Sequence, residues 1–434
     1  MKRLLVMINV FTMSNCFANN LTLVEAIDLA SNNDRLWRIA EAKSLEAREY
    51  VPKAYSQLLP SVNLSVSSTQ VNQQLTSGSL VNPEQSYPSQ NKSINLRQPL
   101  VISKQLDSLR IARYQEEQAH HIKKEEFQQL LIRAVSQYLD VISEKNKYDL
   151  IVSQRKELET RYKAVLISNK VGQASQLDVE EITVQINILK SNEIRSERNF
   201  KLSLKQLENI VGINVESVSD LSLNLKKIEK EIFSLNSDYF DSNINLVPKY
   251  LSQLKEVDIA EMNMSLAQKG HLPSVDLIAQ IGRSNGENSF FTNTKNENKF
   301  IGVQLNLSLF SGGAIESQVR TYIAKIEQAK ENLEFTKDNL RILFRKEIDN
   351  LEYNLKLIKA LDTALISSDQ IVSSNILGLK AGNKSILDLI KSENQRIEIR
   401  SNYVQTSNEI IKSMLRINGI FGANTKDKII NFFN

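Results

Sequence analysis

Several side chains that often carry chemistry are scarce in this sequence of 434 residues. Cys16 is the only cysteine and lies in an N-terminal leader, so the mature chain is expected to have no disulfide and no thiol chemistry. The three histidines, His120, His121 and His271, lack the spacing of metal ligands. A phosphate-binding loop and a Gly-x-Ser-x-Gly elbow are also missing. These absences argue against an enzyme and predict neither a metal nor another cofactor.

The sequence also lacks a large excess of either charge. It contains 54 Lys and Arg residues and 50 Asp and Glu residues, which leaves a net charge of +4. No basic block is long enough for a nucleic-acid footprint, so nucleic acid is not expected as a partner. After the leader, no stretch approaches the roughly 18 apolar residues that a membrane-spanning helix needs. A membrane span in this chain would have to consist of β-strands.

The N-terminus has the layout of a secretory signal peptide over residues 1–18. Two cations precede the apolar run Leu4–Met13, and small and polar residues follow as far as Ala18. An alternative is cleavage before Cys16, which would leave that cysteine as a lipid-bearing N-terminus. Asn15 is an unfavourable residue at such a cleavage point, which favours the signal peptide.

Two motifs occur twice in the same order. Residues 59–62 (Leu-Pro-Ser-Val) recur at 272–275, and the segment 171–179 resembles 381–389, so the offset is about 210 residues at both places. Collinear repetition of this kind predicts a duplicated architecture. The predicted boundaries are a first repeat at 19–212, an inter-repeat segment at 213–245, a second repeat at 246–423 and a C-terminal tail at 424–434.

Each half contains stretches in which apolar and polar residues alternate. The clearest has Ile301, Val303, Leu305, Leu307 and Leu309 at every second position with polar residues or glycine between them, which predicts a strand with one lipid-facing side. Similar patterns occur at 62–66, 94–96 and 275–281. The polar segments 69–91 and 282–299 predict exposed loops, so each half is expected to supply one β-hairpin.

The remainder of each half is predicted to be helical. Glycine and proline are absent from 100–171 and from 314–377, and a helix of about 65 residues would extend on the order of 100 Å. Apolar residues recur in these runs at steps of three and four, which predicts coiled-coil packing. The two predicted seams are Phe127, Leu131, Ala134, Tyr138, Val141, Lys145, Tyr148 and Val152, and Val319, Tyr322, Ile326, Ala329, Leu333, Thr336, Leu340 and Leu343.

This doubled order of helix, Leu-Pro-Ser-Val, hairpin, long helix, Gly-to-Asp turn and return helix resembles the TolC-like outer-membrane factor family. The segments Leu21–Ile27 and Leu307–Gly313 also look like that family's hallmarks. The resemblance implies a mainly α chain that forms a homotrimer. Four strands per chain would build a shared twelve-stranded membrane β-barrel, continued by a long α-helical coiled-coil tunnel.

The function that the resemblance implies is that of an outer-membrane channel in a tripartite efflux pump or a type I secretion system. Such a passive duct would contact outer-membrane lipid, a periplasmic adaptor (membrane fusion) protein and an inner-membrane pump of the ABC, RND or MFS type. Its location would be the outer membrane of a Gram-negative bacterium, projecting into the periplasm. The alternative is a periplasmic coiled-coil scaffold or adaptor without a membrane span, which would have no use for a strand with one wholly apolar face.

The repeated turns are the candidate sites. By the resemblance, the adaptor-contact residues would be Gly172, Ser175, Leu177, Gly382, Ser385 and Leu387. The same resemblance implies a periplasmic gate formed by Asp388, Lys384, Lys391 and Asp178, with Lys384 joined to Asp178 as a latch. The alternative is that these are helix-hairpin turns only, since a C′ glycine, a capping serine and an acidic first turn stabilise any such turn.

Overall fold

The computed structural model describes residues 20–74, 76–77, 80–81, 84–221, 228, 237–288 and 291–433. The predicted signal peptide and Cys16 lie outside the described residues, as does much of the predicted segment 213–245. The chain divides into two compact units. The first unit comprises residues 1–42, 122–250 and 337–434, and the second comprises residues 43–121 and 251–336.

The described residues form α-helices, two short 3₁₀ helices and strands. The helices are α1 (Leu23–Asn33), α2 (Arg35–Arg48), α3 (Tyr50–Ser56), α4 (Ser103–Lys170), α5 (Gln176–Val211), α6 (Ser237–Ser242), α7 (Pro248–Gln268), α8 (Ala314–Lys380), α9 (Ile386–Ile420) and α10 (Lys426–Ile430). The strands are β1 (Ser61–Gln73), β2 (Thr76–Ser77), β3 (Leu80–Val81), β4 (Gln85–Pro99), β5 (Ser274–Asn288) and β6 (Phe291–Asn306).

The order of hairpin, long helix and return helix occurs in both halves, which confirms the predicted repeat. Helix α4 has 68 residues and α8 has 67. Their return helices are matched equally closely, with 36 residues in α5 and 35 in α9. Among the described helices, none is both long enough and apolar enough to cross a membrane.

Four long strands form one antiparallel sheet in the order β1-β4-β5-β6. The predicted loops 69–91 and 282–299 are wrong over most of their length, because both hairpins continue into them. Strand β1 remains paired with β4 as far as Gln73, opposite Gln85, and β6 begins at Phe291. Polar side chains on both faces remove the alternation by which a strand is recognised in sequence, yet the backbone ladder still satisfies every paired N–H and C=O group.

Helices α4, α5, α8 and α9 supply most of the core of the first unit. The predicted seam of α4 is buried at Leu131, Ala134, Tyr138 and Val141. The predicted seam of α8 is right at Ala329, Leu333 and Leu340, but Leu343 is 40% exposed. Phe344 is buried in its place and is followed at seven-residue intervals by Leu351 and Ile358. The buried stripe of α8 therefore shifts by one residue at this point, as the mismatch between 3.6 residues per turn and a seven-residue repeat allows.

The segment before α1 is held in the first unit by backbone and side-chain hydrogen bonds. Leu21 N donates to Ser217 O at 3.0 Å, and Ser219 N donates to Leu21 O at 3.0 Å. The hydroxyl of Tyr138 lies 2.8 Å from Leu21 O and 2.9 Å from Ser219 O, and donates into this pair of carbonyls. Burial is the main cause that raises the pKa of Tyr138 to about 12, so the phenol is neutral at physiological pH.

The C-terminal segment that the sequence set apart as a tail contributes to the same core. Ile429 and Phe432 are buried there, and the side chain of Asn424 donates to Leu415 O at 2.8 Å. An aromatic cluster lies nearby, in which the rings of Phe344 and Phe421 meet edge to face at a centroid distance of 5.5 Å.

The second unit contains the sheet and the helix segments that adjoin it. Its small apolar core includes Ala54 of α3 with Leu109 and Ala112 of α4. Asp107 is only 1% exposed and is compensated by the Lys269 ammonium at 2.5 Å and by the Ser265 hydroxyl at 3.0 Å. This satisfies the requirement that a buried carboxylate be paired. The ion pair joins α4 to the segment immediately before β5.

The two carbonyls bridged by Tyr138 generate a stability prediction. We expect Tyr138→Phe to lower the free energy of unfolding by about 1 kcal/mol, because the carbonyls of Leu21 and Ser219 lose their shared hydroxyl donor. Urea unfolding in detergent, followed by the fluorescence of Trp37, would measure the change. Tyr148→Phe is the matched control, since it keeps the ring contact with Phe200 at 6.3 Å. Equal unfolding midpoints for the two variants would contradict the assigned hydrogen bonds.

Candidate functional site

One face of the sheet consists largely of apolar side chains. Ile301, Val303 and Leu305 alternate along β6, and their antiparallel partners on β5 are Ala279, Leu277 and Val275, which point to the same side. The same register continues through β4 to β1. Seven members of this face are 58% to 75% exposed in the single chain: Val62, Leu64, Val66, Ile281, Ile301, Val303 and Leu305. A patch of this extent marks a surface that contacts something other than water.

The opposite face of the sheet is mainly polar. Asn63, Asn95, Gln280 and Gln304 lie on it, because each is offset by one residue from the apolar set. Arg97 donates to the Asp276 carboxylate on this face at 2.8 Å, and Asp276 is almost fully buried. The sheet therefore separates an apolar side from a polar side.

Two of the predicted lipid-facing residues are not in a strand. Strand β6 ends at Asn306, opposite Ser274, so Leu307 and Leu309 lie beyond it. The register would place Pro273 opposite Leu307, and proline has no N–H with which to continue the ladder. The predicted strand is therefore confirmed for Ile301, Val303 and Leu305. It is wrong for Leu307 and Leu309.

The two helical turns have nearly identical backbone geometry. Gly172 and Gly382 both have a φ of 76°, in the left-handed region that favours glycine. The Gln173 N–H donates to Ser168 O at 2.8 Å, and the Asn383 N–H donates to Gly378 O at 2.9 Å. These 6→1 hydrogen bonds are those of a Schellman C-cap. Each long helix therefore ends in the same Schellman motif.

Each return helix begins with a capping box. The Ser175 hydroxyl accepts from Asp178 N at 3.1 Å, while the Asp178 carboxylate accepts from Ser175 N at 2.9 Å. Ser385 and Asp388 repeat the arrangement at 3.1 Å for both bonds. The sequence suggested the serine caps, but it did not show that the aspartates close the reciprocal half of each box. The bonds from Ser385, followed by Lys384 and Lys391, hold the pKa of Asp388 below its usual value.

The predicted gate residues are brought together only in part. Lys384 and Lys391 lie close enough to Asp388 to favour its charged form. Lys384 and Asp178 form no ion pair in the described part of the chain. Instead the Lys384 side chain lies over Gly378, where an added Cβ would come within 2.7 Å of its Cγ. Gly378 therefore makes room for the lysine in the last turn of α8.

The two turns differ in their surroundings. Leu177 is 66% exposed, whereas Ile386, at the position equivalent to Gln176, is buried. Ile386 packs between the hairpins in an apolar cluster with Leu158, Ile182, Ile186, Leu189 and Ile390. The first turn therefore presents an apolar side chain to solvent, and the second directs one toward the first hairpin.

A buried ion pair lies beside this apolar cluster. The Arg161 guanidinium of α4 donates to the Glu393 carboxylate of α9 at 2.7 Å, and Glu157 also contacts Arg161. Burial raises the pKa of Glu393, and the charge of Arg161 opposes this shift. Sequence reasoning missed Glu393, because only the local Glu157 and Arg161 spacing is visible in one helix. Among the described residues, no group of three or more His, Cys, Asp or Glu side chains could hold a metal ion.

Comparisons with known proteins agree with this geometry. Residues 248–423 match the family model described as "Outer membrane efflux protein". Over these residues the chain is similar to the outer membrane efflux protein family. The "Proteases secretion protein PrtF" of Dickeya chrysanthemi is 22% identical over 94% of this chain and 89% of its own. The "Outer membrane protein TolC" of Vibrio cholerae is 23% identical over 94% of this chain and 92% of its own.

The fold of this chain is also seen in solved structures. The CmeC outer membrane channel of Campylobacter jejuni superposes with a TM-score of 0.75 at 14% identity, covering 94% of this chain and 88% of that one. The resemblance inferred from the doubled motifs is confirmed. The protein is located in the outer membrane of a Gram-negative bacterium and extends into the periplasm.

The capping boxes generate a prediction about local opening. We expect Ser385→Ala to speed amide hydrogen exchange in the first turn of α9 about fivefold, because an N-cap is lost. Ser373→Ala, at an exposed position about two turns before the end of α8, is the control. Lowering the pH should weaken the parent cap, since a carboxylate with a lowered pKa stabilises the fold above its ordinary pKa and loses that effect as pH falls through the lowered value. Unchanged exchange in Ser385→Ala would refute the assigned cap.

Proposed function

We propose that three copies of this chain form a passive duct through which an inner-membrane pump exports its substrate across the periplasm and the outer membrane. The observation that carries the proposal is a sheet that combines an exposed apolar face with two open edges. Among the described residues, β1 and β6 each pair on one side only. Lipid offers no hydrogen bonds to a free strand edge, so these edges need partner strands.

The number of strands supports an oligomer. One chain supplies four long strands, whereas known single-chain barrels have at least about eight. Three chains would close a twelve-stranded barrel, with the apolar face toward lipid and the polar face toward the lumen. A periplasmic scaffold or adaptor without a membrane span would leave this apolar face in water.

The turns are proposed to contact a periplasmic adaptor protein. The exposed side chain of Leu177 and the fixed shape of the Gly172 and Gly382 turns would offer such a partner a preformed surface. The remaining contact residues in this proposal are Ser175, Ser385 and Leu387. The pump would be of the ABC, RND or MFS type. The name of the Dickeya relative refers to protease secretion, which supports a polypeptide cargo alongside small molecules.

The second turn is proposed to form the periplasmic gate. Three copies of Asp388 would make an acidic ring at the trimer axis, and Lys391 would offset part of its charge. Because Lys384 forms no ion pair among the described residues of its own chain, the proposed bond with Asp178 would join neighbouring subunits. Exposed ion pairs of this kind contribute about 0.2 to 1 kcal/mol each, so three would favour the closed state only modestly.

The assigned faces of the sheet predict which charges the membrane tolerates. We expect Val303→Arg to prevent assembly, since a charge on the lipid-facing side costs up to about 2 to 4 kcal/mol. The neighbouring change Gln304→Arg places the same charge on the polar face and should be tolerated. Outer-membrane fractionation and gel mobility with and without heating would measure the trimer. Recovery of the parent protein as a soluble periplasmic monomer would overturn the duct proposal itself.

The gate predicts a change in conductance. We expect Lys384→Glu to raise single-channel conductance in planar bilayers and to admit larger antibiotics into cells, because the new carboxylate repels Asp178. Lys356→Glu changes an exposed lysine of α8 that lies farther from the turn. This variant should leave both the conductance and the entry of antibiotics unchanged. Parental conductance in Lys384→Glu would refute the latch and leave the duct proposal intact.

A further inference from the structure

A cluster of basic side chains lies on the sheet at the border of its apolar face. Lys92 of β4 is the cross-strand partner of Arg283 on β5, and Arg283 is the partner of Glu297 on β6. Lys299 is paired with Ile281 in the neighbouring row. These three cations therefore form a compact group across three adjacent strands. We call Lys92, Arg283 and Lys299 the basic rim.

The basic rim is on the apolar side of the sheet. Lys92 precedes Ile94 by two residues, Arg283 follows Ile281 by two, and Lys299 precedes Ile301 by two. Side chains two apart on a strand point to the same face. The cations thus continue the lipid-facing surface and are separated from the polar face by the thickness of the sheet.

The position of the rim along the strands is equally defined. The strand ends that join the helices are at Ser61, Pro99, Ser274 and Asn306. From those ends, the apolar rows come first and the basic rim follows, nearer the hairpin tips. If the proposed duct is correct, on which this inference rests, the tips lie at the cell surface and the rim meets the outer leaflet at its headgroups.

The rim surrounds a groove of about 360 Å³. Leu64, Ile94 and Ile281 form its apolar floor. Each of these three side chains is 48% to 70% exposed, so the floor is open to a ligand in the single chain. A ligand that fills the groove must therefore combine an apolar part with groups that suit the surrounding charges.

The charges of the rim favour an anion. Among the described residues, Glu297 is the one carboxylate that lines the groove, and it contacts Arg283 at 2.5 Å. Glu297 neutralises one of the three cations and restricts the orientation of the Arg283 guanidinium. It does not occupy all five N–H donors of that group. Lys295 adds a further cation on the same face, two residues along β6. Positive charge thus remains in excess directly beside an apolar floor.

We propose that the basic rim binds the phosphate groups of a phosphorylated glycolipid of the outer leaflet, with an acyl chain on the apolar floor. Lysine and arginine form short charge-assisted hydrogen bonds with phosphate, and the arginine fork matches its geometry. A membrane boundary strengthens these bonds, because the local dielectric constant is lower than in water. The floor favours a lipid over a free phosphate ion, since only the lipid covers Leu64, Ile94 and Ile281.

Native mass spectrometry of the purified protein in detergent tests the proposal, with bisphosphorylated lipid A as the probe. The variant Lys92→Gln/Arg283→Gln/Lys299→Gln should bind the probe at least about tenfold more weakly, because each cation near a charged lipid surface contributes to binding. The control Lys156→Gln/Lys163→Gln/Lys190→Gln removes three exposed lysines from α4 and α5 and should bind like the parent. Lys92→Arg/Lys299→Arg keeps the charge and should also bind like the parent.

Three outcomes would overturn the inference. The first is equal affinity of the Gln variant and the parent. The second is equal binding of zwitterionic phosphatidylcholine, which would indicate a lipid site without selectivity for a net negative headgroup. The third is complete displacement of lipid A by an equal concentration of inorganic phosphate, which would indicate a site for the free ion. If the triple variant does not assemble, Lys299→Gln alone should still weaken binding, and parental affinity in that variant would count against the proposal.

The same preparations separate this inference from the proposed function. Trimer content and bilayer conductance are measured for each variant beside lipid binding. Normal conductance with unchanged lipid A affinity in the Gln variant would refute the lipid site and leave the duct standing. A parent protein that forms no trimer and no channel would refute the duct, whatever its affinity for the lipid.

Discussion

Hydrogen bonds between β4 and β5 are the interaction on which the rest of the sheet depends. Strand β4 comes from the first half of the chain and β5 from the second, so this ladder joins two hairpins into one four-stranded surface. The register sets Leu96 opposite Ala279 and Ile94 opposite Ile281. A slip by one residue would turn every apolar side chain of one hairpin to the polar side. The lipid-facing surface, the polar face and the basic rim all follow from this register.

The sequence predicted most of this architecture, because long periodic segments leave few choices. Glycine-free and proline-free runs gave the long helices, and strict alternation gave β6 from Ile301 to Leu305. The errors have local causes that a single strand does not show. Leu307 continues the alternation but would face Pro273, so it has no ladder partner. The polar tips of the hairpins were predicted as loops, because their strand character comes from pairing and not from their own pattern.

For the candidate sites too, the sequence predicted some features and missed others. Glycine, serine and aspartate spacing located both turns, since these residues act on their immediate neighbours. The Arg161–Glu393 pair could not be found in the same way, because its two members lie 232 residues apart in the chain. The near match of the two turns also concealed a difference that packing reveals. Ile386 is buried whereas its equivalent Gln176 is exposed. Leu387 is half-buried whereas its equivalent Leu177 is exposed, so the two copies of one local structure offer different surfaces to a partner.

The matched helix lengths constrain how proteins of this architecture can change in size. Adding one residue to α4 would rotate everything beyond it by about 100° and advance it by about 1.5 Å, which would turn the buried stripe to solvent and misalign the turn. Seven residues make almost two full turns, with a residual rotation of about 20°. Insertions in evolution should therefore come in sevens, once in each of α4, α5, α8 and α9, and each set would lengthen the helical part by about 10 Å.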